Sequence, residues 1–201
     1  VLNNKLYAWI YYSPYTGIYE YNEENNCFNY ISSGPNNSLL QYGSPAFYNK
    51  TFLNYTIFNN NLIYVEDNTL SVSNDLKSYD RKTFKQKGTF LDLVTVDDTL
   101  YILSYKAKED KTYNATIYST KDLTNLNLIY EFSTQAPPFS IEYYDNSFYI
   151  GTGYAYDPNS YAAYPSGGYN NKNGSLYKIT IDYNNVITNN YITLNKENKT
   201  I

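Results

Sequence analysis

Two carboxylates in strand-like apolar runs are the residues of this chain best placed for chemistry. Asp92 lies in "TFLDLVTV" (89–96) and Glu142 lies in "FSIEYY" (139–144). Counted back from the strand that follows each run, the two positions share parity, so both side chains are expected on the same side of the pleat. Two carboxyl groups held close together can act as general acid and base. Asp92 and Glu142 are therefore the candidate catalytic pair, and the alternative is that each is a polar residue tolerated at the central channel of the predicted fold.

Tyrosine-rich segments between the strands are the candidates for binding. The segment "GYAYDPNSYAAYPSGGYNNKNG" (153–174) holds five tyrosines and two prolines and has no run that predicts a strand or a helix. Tyrosine offers a broad, rigid contact area with a polar tip, which suits sugars and polar protein surfaces. The alternative is that these loops fold over their own sheet. The predicted ligand-binding residues are Tyr15, Tyr42, Tyr48, Tyr154, Tyr156, Asp157, Tyr161, Tyr164 and Tyr169.

The composition excludes several kinds of site within this sequence. There is no histidine, so histidine metal sites and Ser-His-Asp triads are excluded, and Cys27, the single cysteine, can form neither an internal disulfide nor a thiolate metal site. The formal net charge is −4 and Arg81 is the only arginine, which argues against nucleic acid as a partner. No apolar run approaches the ~20 residues of a membrane span. We expect no cofactor and no bound metal.

A repeated turn-and-strand pattern predicts the elements that would position these residues. Four segments have two Asn or Asp residues, one further residue and then Leu or Phe: "NNKLYAWIYY" (3–12), "NNNLIYVED" (59–67), "DDTLYILSYK" (97–106) and "DNSFYIGTGY" (145–154). Asn and Asp tolerate the left-handed conformations of tight hairpins. Three of these turns also follow a strand-like run, so each unit is expected to open with a β-hairpin.

Units of four antiparallel strands recurring at roughly 40–50 residues are typical of β-propeller blades. We predict an all-β β-propeller of about four four-stranded antiparallel blades in one domain, with blades at about 1–33, 51–88, 89–133 and 138–194; the alternative is that these blades are a fragment of a larger ring. Leu6, Leu62, Leu100 and Phe148 are expected at equivalent positions. The first inner strand is mostly missing from the sequence, so either residues 195–201 supply it or the chain is a piece of a longer ring.

The long connections are expected at one end of the sheets. In an antiparallel meander, alternate connections emerge at opposite ends, and here the hairpin turns and the third-to-fourth connections are the short ones. The others are long and aromatic, including 13–17, 33–50 and 153–174. Because function concentrates in long loops, that end is the predicted binding face.

Two short motifs suggest a family resemblance. "IYSTKDLTNLNLIYEF" (117–132) resembles the S-x-D-L-x-x-W turn of sialidase-like and arabinanase-like glycosidase propellers, and "SVSNDLKSY" (71–79) is a weaker copy. Leu126 stands at the expected tryptophan. The resemblance implies a propeller in which the motif is a structural turn far from the active site.

The same resemblance bears on activity. Sialidases of this kind need three arginines, which excludes that activity here. An arabinanase-like enzyme would use carboxylates of the inner strands, a role this resemblance implies for Asp92 and Glu142, at about 5 Å apart for retention or about 6.5–9.5 Å for inversion.

Taken together, these features predict a non-enzymatic recognition module. It would bind a glycan or a protein on a cell or virion surface, outside the cell, as phage tail proteins and microbial surface adhesins do. One alternative is a polysaccharide-active glycosidase of the arabinanase-like type. The other is a purely structural propeller in a virion or filament assembly, with other chains covering its faces.

Overall fold

The protein is an all-β chain of antiparallel sheets. The computed structural model describes residues 2–10, 17–33, 55–66, 68–85, 87–110, 112–152 and 175–180. These residues form fourteen strands and no helix, in four sheets whose order gives a propeller-like fold. In this part of the chain there is consequently no helix long and apolar enough to cross a membrane.

Each sheet is built from consecutive strands. Sheet 1 contains β1 (Tyr7–Ile10), β2 (Gly17–Asn22) and β3 (Cys27–Ser32). Sheet 2 contains β4 (Tyr55–Phe58), β5 (Asn61–Glu66), β6 (Thr69–Ser73) and β7 (Asp80–Thr83). Sheet 3 contains β8 (Thr89–Val96), β9 (Thr99–Ala107), β10 (Tyr113–Thr120) and β11 (Asn127–Thr134). Sheet 4 contains β12 (Pro138–Tyr144), β13 (Ser147–Thr152) and β14 (Ser175–Thr180).

The predicted meander of antiparallel strands is confirmed in each sheet. The predicted fourth strand of the last unit (186–194) and the terminal segment 195–201 lie outside the described residues. The boundaries predicted for the blades and the single domain stay a prediction.

Tight hairpin turns set the register, as the repeated Asn and Asp pairs predict. In three of them both central residues have positive φ: Asn3 and Asn4, Asn59 and Asn60, and Asp145 and Asn146. This is the type I′ geometry, whose twist matches that of the flanking strands. In the remaining turn Asp97 has a φ of 52°. Asn and Asp accept this conformation at lower cost than other side chains because their short polar groups bond locally.

Three apolar cores separate the four sheets. Between sheets 1 and 2 the buried side chains are Leu2, Ile18, Leu62 and Leu76. Between sheets 2 and 3 they are Phe58, Ile63, Leu70, Phe90, Leu93, Leu100, Ile102, Tyr118 and Leu123. Between sheets 3 and 4 they are Tyr101, Leu103, Ile117, Ile141, Phe148 and Ile150. Each sheet therefore packs face to face on the next one in chain order, as blades of a propeller do.

The run "LYIL" (100–103) shows why the strands of sheet 3 are apolar on both faces. Leu100 and Ile102 point into the core shared with sheet 2, whereas Tyr101 and Leu103 point into the core shared with sheet 4. Side chains of a strand alternate between its two faces. A sheet covered on both sides therefore needs a continuous apolar run.

Equivalent hydrogen bonds join neighbouring sheets at the hairpin turns. The side-chain amide of Asn3 donates to the carbonyl oxygen of Asn74 at 3.1 Å, and that of Asn59 donates to the carbonyl oxygen of Lys121 at 3.4 Å. Asn3 and Asn59 are the first residues of their turns. Asn74 and Lys121 occupy the same place in the connections β6–β7 and β10–β11. The same relation between consecutive sheets thus recurs along the chain.

Equivalent positions imply equal burial for Leu6, Leu62, Leu100 and Phe148, and this expectation is wrong for Leu6. Leu62, Leu100 and Phe148 are 7%, 0% and 0% exposed, whereas Leu6 is 51% exposed. We call the face of a sheet that points toward the preceding sheet its back face. Strand alternation places Leu6 on the back face of sheet 1, which no described sheet covers. The register position is equivalent, but its surroundings are not.

Aromatic rings cover this back face of sheet 1 and contact one another across the strands. The ring centroids of Tyr19 and Tyr30 are 5.5 Å apart at an interplanar angle of 77°. Those of Tyr21 and Phe28 are 5.2 Å apart at 55°. Inclined rings of this kind pack edge against face, so they do not form the coplanar strip on which a sugar chain would stack.

Both Ser/Thr-x-Asp-Leu motifs form the same turn. Asp122 Oδ1 accepts hydrogen bonds from the backbone N–H of Thr124 and Asn125 at 2.8 and 3.1 Å. Asp75 Oδ1 accepts from the N–H of Lys77 and Ser78, each at 2.9 Å. The carboxylate in each case replaces the backbone acceptors that the turn lacks.

The leucine of each motif has the same function in both turns. Leu123 and Leu76 have φ of 59° and 60°, and their N–H groups donate to Thr120 Oγ1 and Ser73 Oγ. Both side chains are buried in the core shared with the preceding sheet. The motifs are thus structural turns that close the sheet interfaces.

These turns predict an acid-sensitive contribution to stability. The Ser78 and Lys77 N–H groups lower the pKa of Asp75 to about 2, and hydrogen bonds from Thr124 and Asn125 lower the pKa of Asp122 further. A pKa depressed by folding gives stability that is present above the unfolded value near 3.8 and is lost as pH falls toward 2.

Between pH 4 and pH 2 we expect the melting temperature of Asp75→Asn to fall less than that of the unsubstituted protein. Circular dichroism melts across that range test this, with Glu24→Gln as the control. An equal slope of melting temperature against pH in the unsubstituted protein and in both variants would contradict it.

Candidate binding face

The two ends of the stacked sheets differ in what they carry. We call the end with the hairpin turns 3–4, 59–60, 97–98 and 145–146 the turn end, and the opposite one the loop end. At the loop end Ile10 pairs with Gly17 and Thr152 pairs with Ser175. The long connections between these strands therefore start and finish at the loop end.

The predicted ligand-binding residues belong to those connections. Tyr15, Tyr42, Tyr48, Tyr154, Tyr156, Asp157, Tyr161, Tyr164 and Tyr169 all lie outside the described residues. Their role in binding stays a prediction. The described ends of the flanking strands show only that the segments carrying these residues leave the sheets at the loop end.

A cleft of about 470 Å³ lies at the loop end, between the β7–β8 connection and the end of β9. The described residues that line it are Lys85, Gly88, Thr89, Tyr105, Lys106 and Ala107. Hydrogen bonds hold the connection in place. Ser104 Oγ donates to the Lys87 carbonyl oxygen at 2.5 Å, and the Lys87 N–H donates to the Phe84 carbonyl oxygen at 3.1 Å.

Gly88 is required for the shape of this cleft. Its φ is +82°, and a Cβ atom there would lie 2.6 Å from the Tyr105 carbonyl oxygen. A side chain would therefore be both strained and in collision with the backbone of β9. Glycine lets the β7–β8 connection approach β9 closely at the edge of the cleft.

Asp92 joins sheets 3 and 4. It follows a β-bulge in β8, and its Oδ2 accepts a hydrogen bond from the Ile141 N–H of β12 at 2.8 Å. Its Oδ1 accepts from the Leu93 N–H at 2.8 Å. Burial raises the pKa of Asp92 to about 6, against the lowering effect of these two N–H groups, with a smaller increase from the charge of Glu142.

Glu142 occupies a different environment from Asp92. Its side chain is exposed, and it pairs across the strands with Tyr149. Its neighbour Ile141 is buried in the core with sheet 3, so alternation directs Glu142 to the opposite face of sheet 4. The structure gives Asp92 two backbone partners and Glu142 an exposed position, and their catalytic pairing stays a prediction.

The cleft was not found by sequence reasoning. Its lysines come from two runs, "RKTFKQK" (81–87) and "YKAKEDK" (105–111), that are separate in the sequence. Both runs lie at ends of strands that emerge at the same end of adjacent sheets. Combining the lysine content of the runs with the predicted meander would have indicated the site.

Comparisons do not connect this face with a known protein. No family model, curated protein or solved structure matches the chain. Within the part of the chain that the structure describes, no cluster of three or more acidic or cysteine side chains could hold a metal ion. Function must therefore be inferred from geometry and chemistry.

Proposed function

We propose that the protein is a non-enzymatic recognition module that binds a glycan or a protein surface through the loop end. The observation that carries this proposal is the common origin of the tyrosine-rich connections. The strand ends that flank 11–16, 34–54 and 153–174 all lie at the loop end. Side chains from distant parts of the sequence can therefore contact one ligand.

The chemistry of these connections supports recognition of a polar ligand. They are rich in Tyr, Asn, Ser and Gly, a combination that gives ring stacking and adaptable hydrogen bonds at low conformational cost. A rigid scaffold of stacked sheets is a suitable base for such loops, because function concentrates where long connections leave a rigid core.

The setting we propose is the surface of a cell or a virion, as for an adhesin or a tail protein. A ligand displayed there in many copies would compensate for weak single contacts.

The test is a double substitution in the longest tyrosine-rich segment. We expect Tyr161→Ala with Tyr164→Ala to abolish retention on a glycan array while the melting temperature stays within about 1 °C. The matched control is Tyr144→Ala, because Tyr144 is 74% exposed and lies beside a hairpin turn at the turn end. The control should bind as the unsubstituted protein does.

Two results would contradict the proposal. The first is unchanged retention by the double variant, which would remove the loop end as the binding face. The second is an equal loss in Tyr144→Ala, which would mean that any exposed tyrosine contributes and that no particular face is used.

A further inference from the structure

Two sheet faces in the described part of the chain are not covered by another described sheet. One is the back face of sheet 1, and the other is the face of sheet 4 that points away from sheet 3, which we call its front face. Eight large apolar side chains of the described residues are exposed. Five of them lie on these two faces: Leu6, Phe28 and Tyr30 on sheet 1, and Tyr144 and Leu176 on sheet 4. Exposed apolar side chains grouped in this way indicate an interaction surface.

The back face of sheet 1 has the composition of a face that another sheet covers. Its side chains are those of Leu6, Ala8, Ile10, Tyr19, Tyr21, Phe28 and Tyr30. None of them is charged. Leu62, Leu100 and Phe148, at the position equivalent to Leu6, are each buried against the preceding sheet. Because the inclined rings of this face do not suit a sugar chain, its pattern favours a further sheet as the occupant.

The front face of sheet 4 is complementary to this apolar face. Across its strands Glu142 pairs with Tyr149, and Tyr149 pairs with Lys178, so the middle of the face carries one charge of each sign. The Lys178 Nζ atom lies 5.7 Å from the centroid of the Tyr149 ring. Tyrosine hydroxyl groups of sheet 1 would therefore meet hydrogen-bonding groups there, as buried hydroxyl groups require. A second copy of the sheet 1 face would offer mainly rings and aliphatic groups.

The described interfaces all join the same two kinds of face. The front face of one sheet packs on the back face of the next sheet, and the equivalent hydrogen bonds of Asn3 and Asn59 recur between consecutive sheets. The two uncovered faces are one of each kind, so a second copy can continue the series. Within one copy these faces do not cover each other, because Leu6 is 51% exposed and Tyr144 is 74% exposed.

We propose that the chain assembles head to tail, with the front face of sheet 4 in one copy packed on the back face of sheet 1 in the next copy. Contacts of this heterologous type close into a ring when the rotation between copies allows it. Because the contact repeats the relation between consecutive sheets, the loop ends of the copies lie on the same side of the assembly. The inference does not depend on the proposed ligand, but several loop ends on one side would strengthen binding to a surface.

Sedimentation equilibrium of the full chain, from about 1 µM to about 500 µM, tests the assembly over the affinities expected of such an interface. We expect masses that are multiples of the 23.3 kDa chain. Tyr30→Asp on sheet 1 and Leu176→Asp on sheet 4 each place a short carboxylate in the contact, so each alone should weaken association by about a hundredfold or more. The control is Leu128→Asp on sheet 3, because Leu128 is 59% exposed and lies on neither face. It should assemble as the unsubstituted protein does.

A mixture of the two variants distinguishes this contact from other contacts. The Tyr30→Asp protein keeps an intact sheet 4 face and the Leu176→Asp protein keeps an intact sheet 1 face, so the mixture should form a complex of two chains. Its formation also shows that both variants are folded. A single-chain mass for the unsubstituted protein at every concentration overturns the proposal. Assembly by Leu176→Asp alone, which would mean that sheet 1 packs on sheet 1, or an equal loss in the control also overturns it.

Assembly and ligand binding are read out separately. Tyr144 lies beside a hairpin turn at the margin of the sheet 4 face, where truncation to alanine costs an interface little. Tyr144→Ala therefore remains a control for glycan retention. A protein that retains glycan as a single chain would contradict the assembly and leave the proposed function standing, and an assembly that retains no glycan would do the opposite.

Discussion

Truncating either Ile102 or Leu103 to alanine is expected to lower the free energy of unfolding by about 2–5 kcal/mol. Both side chains are fully buried, and they lie on opposite faces of β9, in the cores shared with sheet 2 and sheet 4 respectively. Each truncation removes apolar contacts and leaves a cavity that rigid neighbouring sheets cannot fill. Urea unfolding followed by circular dichroism measures both values.

The control for this prediction is Leu128→Ala on β11. Leu128 is 59% exposed, so its truncation should change stability by about 0.5 kcal/mol or less. A small effect for only one of the two buried residues would contradict the packing of sheet 3 on that side. Because the two cores are distinct, the two values show which of the two sheet interfaces lacks the described packing.

Asp92→Ala is expected to lower the free energy of unfolding at pH 7 by about 1–3 kcal/mol. The substitution removes the acceptor of the Ile141 and Leu93 N–H groups, and the first of these contacts joins two sheets. Asp92→Asn keeps one oxygen acceptor and should be less destabilising. Glu142→Ala is the matched control, because Glu142 is an exposed carboxylate and its loss should have little effect.

The pH dependence of the Asp92 contribution has an unusual sign. Burial raises its pKa in the folded state to about 6, above the unfolded value near 3.8, so the folded state binds the proton more tightly. Stability from this group therefore rises as pH falls through 6 and is complete below about 4. Urea midpoints measured between pH 7 and pH 4 should show this rise in the natural protein and not in Asp92→Asn, whereas parallel profiles would contradict it.

Local chemistry made the hairpins and the motif turns predictable from sequence. Paired Asn and Asp residues satisfy the positive φ of type I′ turns at Asn59 and Asn60, and two-residue turns fix strand register without reference to distant residues. The same holds for the Asp75 and Asp122 turns, whose hydrogen bonds stay within a few residues of each carboxylate.

Contacts between distant elements were not predictable. The Asp92–Ile141 hydrogen bond depends on a bulge in β8 and on the alignment of two sheets, neither of which a strand pattern encodes. Leu6 has the same local pattern as Leu62, but its exposure depends on whether another sheet lies against it. Lys85 and Lys106 line one cleft only because strands of adjacent sheets bring two separate lysine-rich runs to the same end.

The side-by-side arrangement of the inner strands β4 and β8 is what places the loop ends together, and an engineered disulfide tests it most directly. Thr56 Oγ1 of β4 and Thr95 Oγ1 of β8 are 3.1 Å apart, so two cysteine sulfur atoms at these positions would have to approach by about 1 Å to reach the length of a disulfide bond. The exposed Cys27 is first replaced by serine. Thr56→Cys with Thr95→Cys should then form an intramolecular bond on oxidation, detected by mass and by non-reducing electrophoresis, whereas Thr56→Cys with Thr180→Cys should not. Failure of the first pair to close, in protein that remains folded, would contradict the stacking of the sheets and the shared binding face built on it.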